Sequence, residues 1–133
     1  AELREYISLK QNCKNGLFIE KFLSNEEINS IYDSSSIVWA AYVDFPHSSG
    51  VLTKAAISHK PVIVNSGFLM EERVREFNTG VVIDLTDLEA AKNTIFQQFE
   101  YNWDITTFEA YKKAYSIREF TEKFKNFITS KIN

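Results

Sequence analysis

Pro46-His47-Ser48-Ser49-Gly50 is the segment whose residue types and spacing best fit chemistry. It follows an apolar run, Ile37 to Tyr42, and leads into Val51, Leu52, Ala55 and Ala56, the apolar spacing of a short helix. A buried strand that turns through small residues into a helix N-terminus brings free backbone N–H groups and the positive end of the helix dipole to one point. That arrangement suits an anion, above all a phosphate. Gly50 would let a phosphate approach the backbone closely, and the Ser48 and Ser49 hydroxyls would add donors. The same three residues also read as a plain serine cap followed by a permissive glycine.

Lys54 stands one helical turn beyond Gly50 on the same face. A lysine there opposes the helix dipole by about 0.3–1 kcal/mol unless an anion compensates, so a phosphate or sugar contact is one reading and a solvated surface lysine the other. His47 has the chemistry to donate to a phosphate or orient a hydroxyl, and with Lys54 it is a candidate for catalysis. A lone loop histidine serves structure equally well, and His59 reads as a connector. Lys21 and Phe22 follow an earlier apolar run and could flank a nucleotide base or ribose, with Phe22 packing on the core as the alternative. Glu71, Glu72, Arg73 and Arg75 read as a solvated face of mixed charge. Asp33 and Asp44 are single carboxylates without a visible partner. One cysteine and two separated histidines give no metal-ligand spacing, and no GxxxxGK[ST], GxGxxG or GxSxG pattern occurs.

The elements that must hold these residues follow from capping and periodicity. Leu3 to Gln11 reads as a helix tail and Gly16 to Ile19 as a short buried strand. Ser24-Asn25-Glu26-Glu27 is a capping box, opening a helix with Ile28, Ile31 and Tyr32 on one stripe. Ile37 to Tyr42 is a strand covered on both faces. After the helix Gly50 to Ser58 comes a strand at Pro61 to Val64, then a charged helix from Met70 to Phe77, with Gly80 as its terminating glycine. Val81 to Ile83 is the last strand. Thr86-Asp87-Leu88-Glu89 is a second capping box, before a helix lined by Ala91, Ile95 and Phe99. Thr106 to Tyr115 is a further helix. Ser116 to Glu119 is a third box, with Tyr115 and Phe120 as its hydrophobic staple and Phe124, Phe127 and Ile128 continuing the apolar face.

Four short strands alternating with helices predict an α/β fold, a Rossmann-like parallel sheet with flanking helices, forming one domain over residues 1–133. In such sheets ligands sit beyond the carboxyl ends of the strands, near the switch in strand order, and the 43–50 loop lies at that end.

Composition narrows the class. At 133 residues, 44% apolar and 25% charged, the chain can bury a core of ordinary size. A net charge of -3 gives nucleic acid no electrostatic footprint. A single cysteine, Cys13, fits a reducing compartment, and no apolar run reaches the length of a spanning helix. With no signal-peptide pattern at the start, a soluble cytoplasmic domain is expected. Aromatic residues crowd the last third, from Phe96 to Phe127, more than a four-strand core would cover. The helices over about 100–133 are therefore expected to pack on a partner domain or subunit, a homo-oligomer included.

In linear order these features resemble the C-terminal, donor-binding half of group 1 glycosyltransferases with the GT-B fold. The resemblance is carried by Ser24-Asn25-Glu26-Glu27-Ile28-Asn29-Ser30-Ile31-Tyr32, Ser36-Ile37-Val38, Gly50 to Ala55 and Lys60-Pro61-Val62-Ile63. It continues through Gly67, Glu72, Val74, Gly80 and Val81-Val82-Ile83. It implies a nucleotide-sugar donor whose diphosphate is held by Ser48, Ser49, Gly50 and Val51. Lys21, Phe22 and Lys54 would lie near the base or ribose, and Ser66, Gly67 and Phe68 would border the site. It further implies transfer of the sugar to a glycan or lipid-linked acceptor, in surface polysaccharide or lipopolysaccharide biosynthesis, with no metal or other cofactor. In the full-length enzyme it allows a peripheral position at the inner face of the membrane.

Two departures bear on catalysis and extent. The pair of glutamates that many group 1 enzymes carry around this loop falls on Pro46 and Lys54, so neither carboxylate is present, and His59 replaces the usual glycine before Lys60. A complete C-terminal half would begin with two further strands, preceded by an acceptor-binding domain, so the chain is expected to be a piece truncated on its N-terminal side, inactive alone. A non-catalytic nucleotide-sugar-binding or assembly module that kept the fold is the alternative. A flavodoxin-like signalling domain is the third reading, and it lacks an acidic cluster after the first strand, where Glu20 stands alone.

Overall fold

Val62, Ile63 and Val64 are β-branched, consecutive and between 0 and 2% exposed, the signature of a strand covered on both faces. They belong to the central strand of the structure, a computed structural model that describes Glu5, Ser8 and residues 12–132. The elements in chain order are α1 (Asn25–Ser34), β1 (Val38–Ala40), α2 (Gly50–Ile57), β2 (Val62–Asn65), α3 (Leu69–Phe77), β3 (Gly80–Ile83), α4 (Leu88–Gln98), α5 (Ile105–Ala114) and α6 (Ile117–Ile132). The three strands form one parallel sheet in the order β1-β2-β3, with Val38 opposite Val62 and Val62 opposite Gly80. Each neighbouring pair is joined through a helix, the parallel α/β pattern expected from the sequence.

Alternation along the strands sorts the core into two layers. On one face Ala40, Val62 and Val64 pack with Leu52, Ala55 and Ala56 of α2, Met70 and Val74 of α3, and Phe108 and Tyr111 of α5. On the other, Ala41, Ile63, Val81 and Ile83 pack with Ala91 of α4, flanked by Ile37, Leu85 and Ile95. Each fully buried valine or larger side chain contributes about 1.5–3 kcal/mol, so the β2 residues anchor both layers. Trp103 borders both clusters.

Several expectations are corrected. Gly16 to Ile19 is not a strand: residues 16–20 have no regular structure, Leu17 is 85% exposed, and the sheet has three strands among the described residues rather than four. An apolar run becomes a strand only when a neighbour supplies its hydrogen bonds. The strand order runs in sequence with no reversal, so no switch point lies beside the 43–50 loop, which follows the edge strand β1. Gly80 does not end α3. Asn78 takes the left-handed cap at φ 51°, and Gly80 opens β3, where a Cβ would lie 2.1 Å from the Val62 carbonyl oxygen. In the second capping motif Asp87 is the cap, accepting from the Ala90 N–H, while Thr86 is bound to the Asp84 carboxylate. The Ser24–Glu27 box is complete, and Ser116 caps the Glu119 N–H. Phe120 stacks on Phe124 with centroids 6.2 Å apart and remains 70% exposed. The expected helix tail at Leu3 to Gln11 lies outside the described residues apart from Glu5 and Ser8, both helical.

Candidate functional site

Two helices begin at the carboxyl ends of adjacent strands, and their N-termini are built differently. The α3 N-terminus, after β2, has no side-chain cap from Phe68. Glu71 fills it instead: its carboxylate accepts the Gly67 N–H at 2.6 Å and pairs with Arg75 at 2.7 Å. These bonds, the Gly67 N–H first and then Arg75, hold the Glu71 carboxyl below the usual range. Gly67 sits at φ 104°, a conformation that favours glycine, and Ser66 extends the ladder by donating to Ile83 O at 2.8 Å. The turn at Ser66, Gly67 and Phe68 follows β2, the strand paired with β1, and its Gly67 N–H is already taken by the chain's own carboxylate.

The α2 N-terminus, after β1, carries no carboxylate. Ser49 is its cap, accepting from the Val51 N–H at 3.3 Å, while the Leu52 N–H donates to the Ser49 carbonyl at 3.2 Å. Gly50, the first helical residue, is exposed, and its N–H has no acceptor within the helix. A Cβ added at Gly50 would meet nothing within 4 Å, so the approach to this turn is open. Ser48, Ser49, Gly50 and Val51 therefore lie together at the N-terminus of α2. His47 is exposed and rests edge-on against Phe45, centroids 5.8 Å apart. Lys54 is exposed on the next turn of α2.

The sequence predicts Arg73 on a solvated face, and the structure places it otherwise. Its Nη1 donates to Ser48 Oγ, and its guanidinium lies 4.4 Å from the Tyr115 ring centroid, a cation–π contact. The Nε is buried without a hydrogen-bond partner. Among the described residues no carboxylate pairs with Arg73, whereas Arg75, two positions on, is paired with Glu71. Beneath it Tyr111 is 1% exposed, packed 4.7 Å from Tyr115 and 5.3 Å from Phe77, centroid to centroid. The Tyr111 hydroxyl is also buried without a geometrically satisfied partner. Burial pushes its phenol up, and the nearby Thr53 hydroxyl and Arg73 guanidinium pull part of the way back. The sequence does hold a signal for Arg73: it stands three residues after Met70 and four before Phe77, on the core side of α3.

Lys21 and Phe22 are not drawn into this arrangement by any described contact. Among the described residues no strand precedes them, Lys21 pairs with Glu27 at 2.6 Å, and Phe22 is fully exposed rather than packed on the core. His59, read as a connector, adopts φ 52° and places Nε2 2.6 Å from Glu109 Oε1, tying the end of α2 to α5. Among the described residues no group of three or more His, Cys, Asp or Glu could hold a metal ion, and no helix is long and apolar enough to cross a membrane.

No family model, curated protein or solved structure matches this chain.

Proposed function

We propose that this chain is the donor-binding part of a glycosyltransferase, holding the diphosphate of a nucleotide-sugar at Ser48, Ser49, Gly50 and Val51. One observation carries the reading: the α2 N-terminus at the carboxyl end of β1 is open at Gly50, while the neighbouring α3 N-terminus is closed by Glu71. An incoming anion finds free dipole and donors at the first and a carboxylate at the second. The ordered motif series from Ser24 to Ile83 supports the same assignment to the GT-B group 1 enzymes. In sugar transfer the bond from the anomeric carbon to the diphosphate oxygen breaks, and negative charge grows on the departing diphosphate. Fixed N–H groups and cations at this turn would stabilise that charge, with no reorganisation at the moment of reaction. Ser66, Gly67 and Phe68 would wall the site, His47 and Lys54 are the side chains free to reach the sugar, and the glycan or lipid-linked acceptor would bind opposite.

A non-catalytic nucleotide-sugar-binding module is the second reading. It is favoured by the two family carboxylate positions, which are Pro46 and an exposed Lys54. Titration calorimetry with UDP, GDP and their sugars tests the first step. Binding is expected, weakened about 10-fold or more by Gly50→Val, whose Cβ enters the open approach and meets nothing within 4 Å. Failure of every nucleoside diphosphate to bind would sink the proposal. Donor binding by the full-length protein, without release of nucleoside diphosphate in the presence of acceptors, would select the second reading.

A further inference from the structure

The cation at this site comes from an unexpected element. Arg73 is partly buried beside the positive end of α2 and has no carboxylate partner among the described residues. An unpaired cation next to a helix N-terminus is unfavourable on both counts: it loses hydration, and it opposes the dipole. Folded proteins keep such a charge where a counter-charge arrives from outside.

Its donors are also underused. A guanidinium carries five N–H donors in a fixed fork. One is given to Ser48, and the buried Nε has no acceptor. Tyr111, almost wholly buried, turns a second unsatisfied polar group toward Arg73 and the Thr53 hydroxyl in the first turn of α2. The unpartnered Arg73 Nε beside this helix turn is a cost that an acceptor-only ligand drawing the guanidinium toward it, such as a phosphate, would remove. The guanidinium sits over the Tyr115 ring, and its stem rises from α3, which is packed on β2 and β3. A rigidly based, stacked guanidinium suits bidentate recognition of phosphate oxygens.

We propose that Arg73, rather than Lys54 or His47, is the side chain that grips the ligand's phosphate at the α2 N-terminus, its guanidinium passing from Ser48 to the anion. Ser48 acts as the resting acceptor, holding the fork in place until a doubly charged oxygen cluster replaces it. The inference rests on the anion-site reading of Ser48 to Val51 and adds that the affinity comes from α3. Such a site selects diphosphate over a neutral sugar by charge, and over a single carboxylate by the larger negative charge that a diphosphate brings to the guanidinium and the helix dipole.

The test uses inorganic pyrophosphate and, separately, UDP as calorimetric probes against the unaltered chain, Arg73→Gln and Arg73→Lys. One pyrophosphate per chain is expected, weakened about 10- to 100-fold in Arg73→Gln and less in Arg73→Lys, which keeps the charge and loses the fork. The unliganded Arg73→Gln protein should melt no lower than the parent, because an unpaired, partly buried charge has been removed. If Arg73→Gln fails to fold, the loss of affinity in Arg73→Lys decides the question. Pyrophosphate affinity unchanged in both variants, or no pyrophosphate binding by the parent, overturns the inference. UDP binding equal in the parent and Arg73→Gln overturns it while leaving the donor reading intact. Arg73-dependent pyrophosphate binding with no nucleoside diphosphate bound does the reverse.

Discussion

Gly80→Ala should be among the most damaging single-methyl changes in this protein. The added Cβ would lie 2.1 Å from the Val62 carbonyl oxygen, 2.8 Å from the Val62 nitrogen and 2.7 Å from Val62 Cγ2. Two of those three atoms are backbone of the central strand, and Val62 is only 2% exposed, so no flexible side chain can give way. Reaching ordinary contact requires the two strands to part by at least about 1 Å, which stretches ladder hydrogen bonds beyond useful length. The Val62 N–H to Thr79 O bond, now 3.2 Å, lies directly at the point of separation. Overpacking costs about 1–3 kcal/mol and each weakened ladder bond about 1 kcal/mol, against a gain of about 0.4–1 kcal/mol from the stiffer unfolded chain. The net loss is about 2–4 kcal/mol, a large part of the roughly 5–15 kcal/mol that a domain has. Thermal melting followed by circular dichroism should fall by about 10 °C. Gly50→Ala is the matched control, since its Cβ meets nothing within 4 Å, and it should melt within about 2 °C of the parent. Equal melting temperatures for the two variants would refute the β2–β3 register and the close approach at Gly80.

Glu71 is held in its ionised form by Gly67 and Arg75, so its folded pKa lies below the unfolded value. Its contribution is therefore present above the unfolded pKa of about 4.3 and is lost as pH falls through the folded value. Urea melts of Glu71→Gln should show reduced stability at pH 7 and a flatter acid limb below about pH 4.5, and parallel limbs would contradict the capping role. Tyr111→Phe removes a buried hydroxyl without a partner, so chemical denaturation should show stability unchanged or raised by about 1 kcal/mol, and a loss above that size would show the hydroxyl to be satisfied. Asn78→Gly should leave stability level or slightly improved while Asn78→Ala costs about 1 kcal/mol, because only the latter is penalised in the left-handed cap. Equal melting of the two variants would place the cap elsewhere.

The sequence makes the α/β alternation legible where local signals agree. Ser24 and Glu27 specify one helix start by reciprocal hydrogen bonds, and Ser49 before Gly50 specifies another. Pro61 and the β-branched run after it mark the central strand, which needs no long-range knowledge to look buried. Local signals fail where a partner distant in sequence decides the outcome. Gly16 to Ile19 has strand composition, yet pairing is a property of two segments, and no neighbour forms its ladder among the described residues. Thr86 and Asp87 are both competent caps, and the Asp84 carboxylate, by taking Thr86, leaves the position to Asp87. His59 and Glu109 are fifty residues apart, so their pairing is invisible until α2 and α5 pack. Gly80 is legible as a required glycine but not as to why, since a helix end and a close strand approach ask for the same residue.

Charge sign locates the site more sharply than shape does. The chain as a whole carries a net charge of -3, yet Arg73 stands beside the positive dipole end of α2, with no carboxylate paired to it among the described residues, while Lys54 lies in the last turn of that helix. A helix end of about half a charge and a full charge a few ångströms away repel by about 1–2 kcal/mol at an effective dielectric near 20. Sequence changes that relieve this are simple: a carboxylate in the first turn of α2 would do what Glu71 does for α3. Pro46 and Lys54 supply no negative charge that would relieve it. On the proposed reading an external anion takes that place, and two or more negative charges on one ligand would offset both the dipole and the guanidinium. A diphosphate would meet that requirement by its charge, whereas a neutral glycan would leave the repulsion in place.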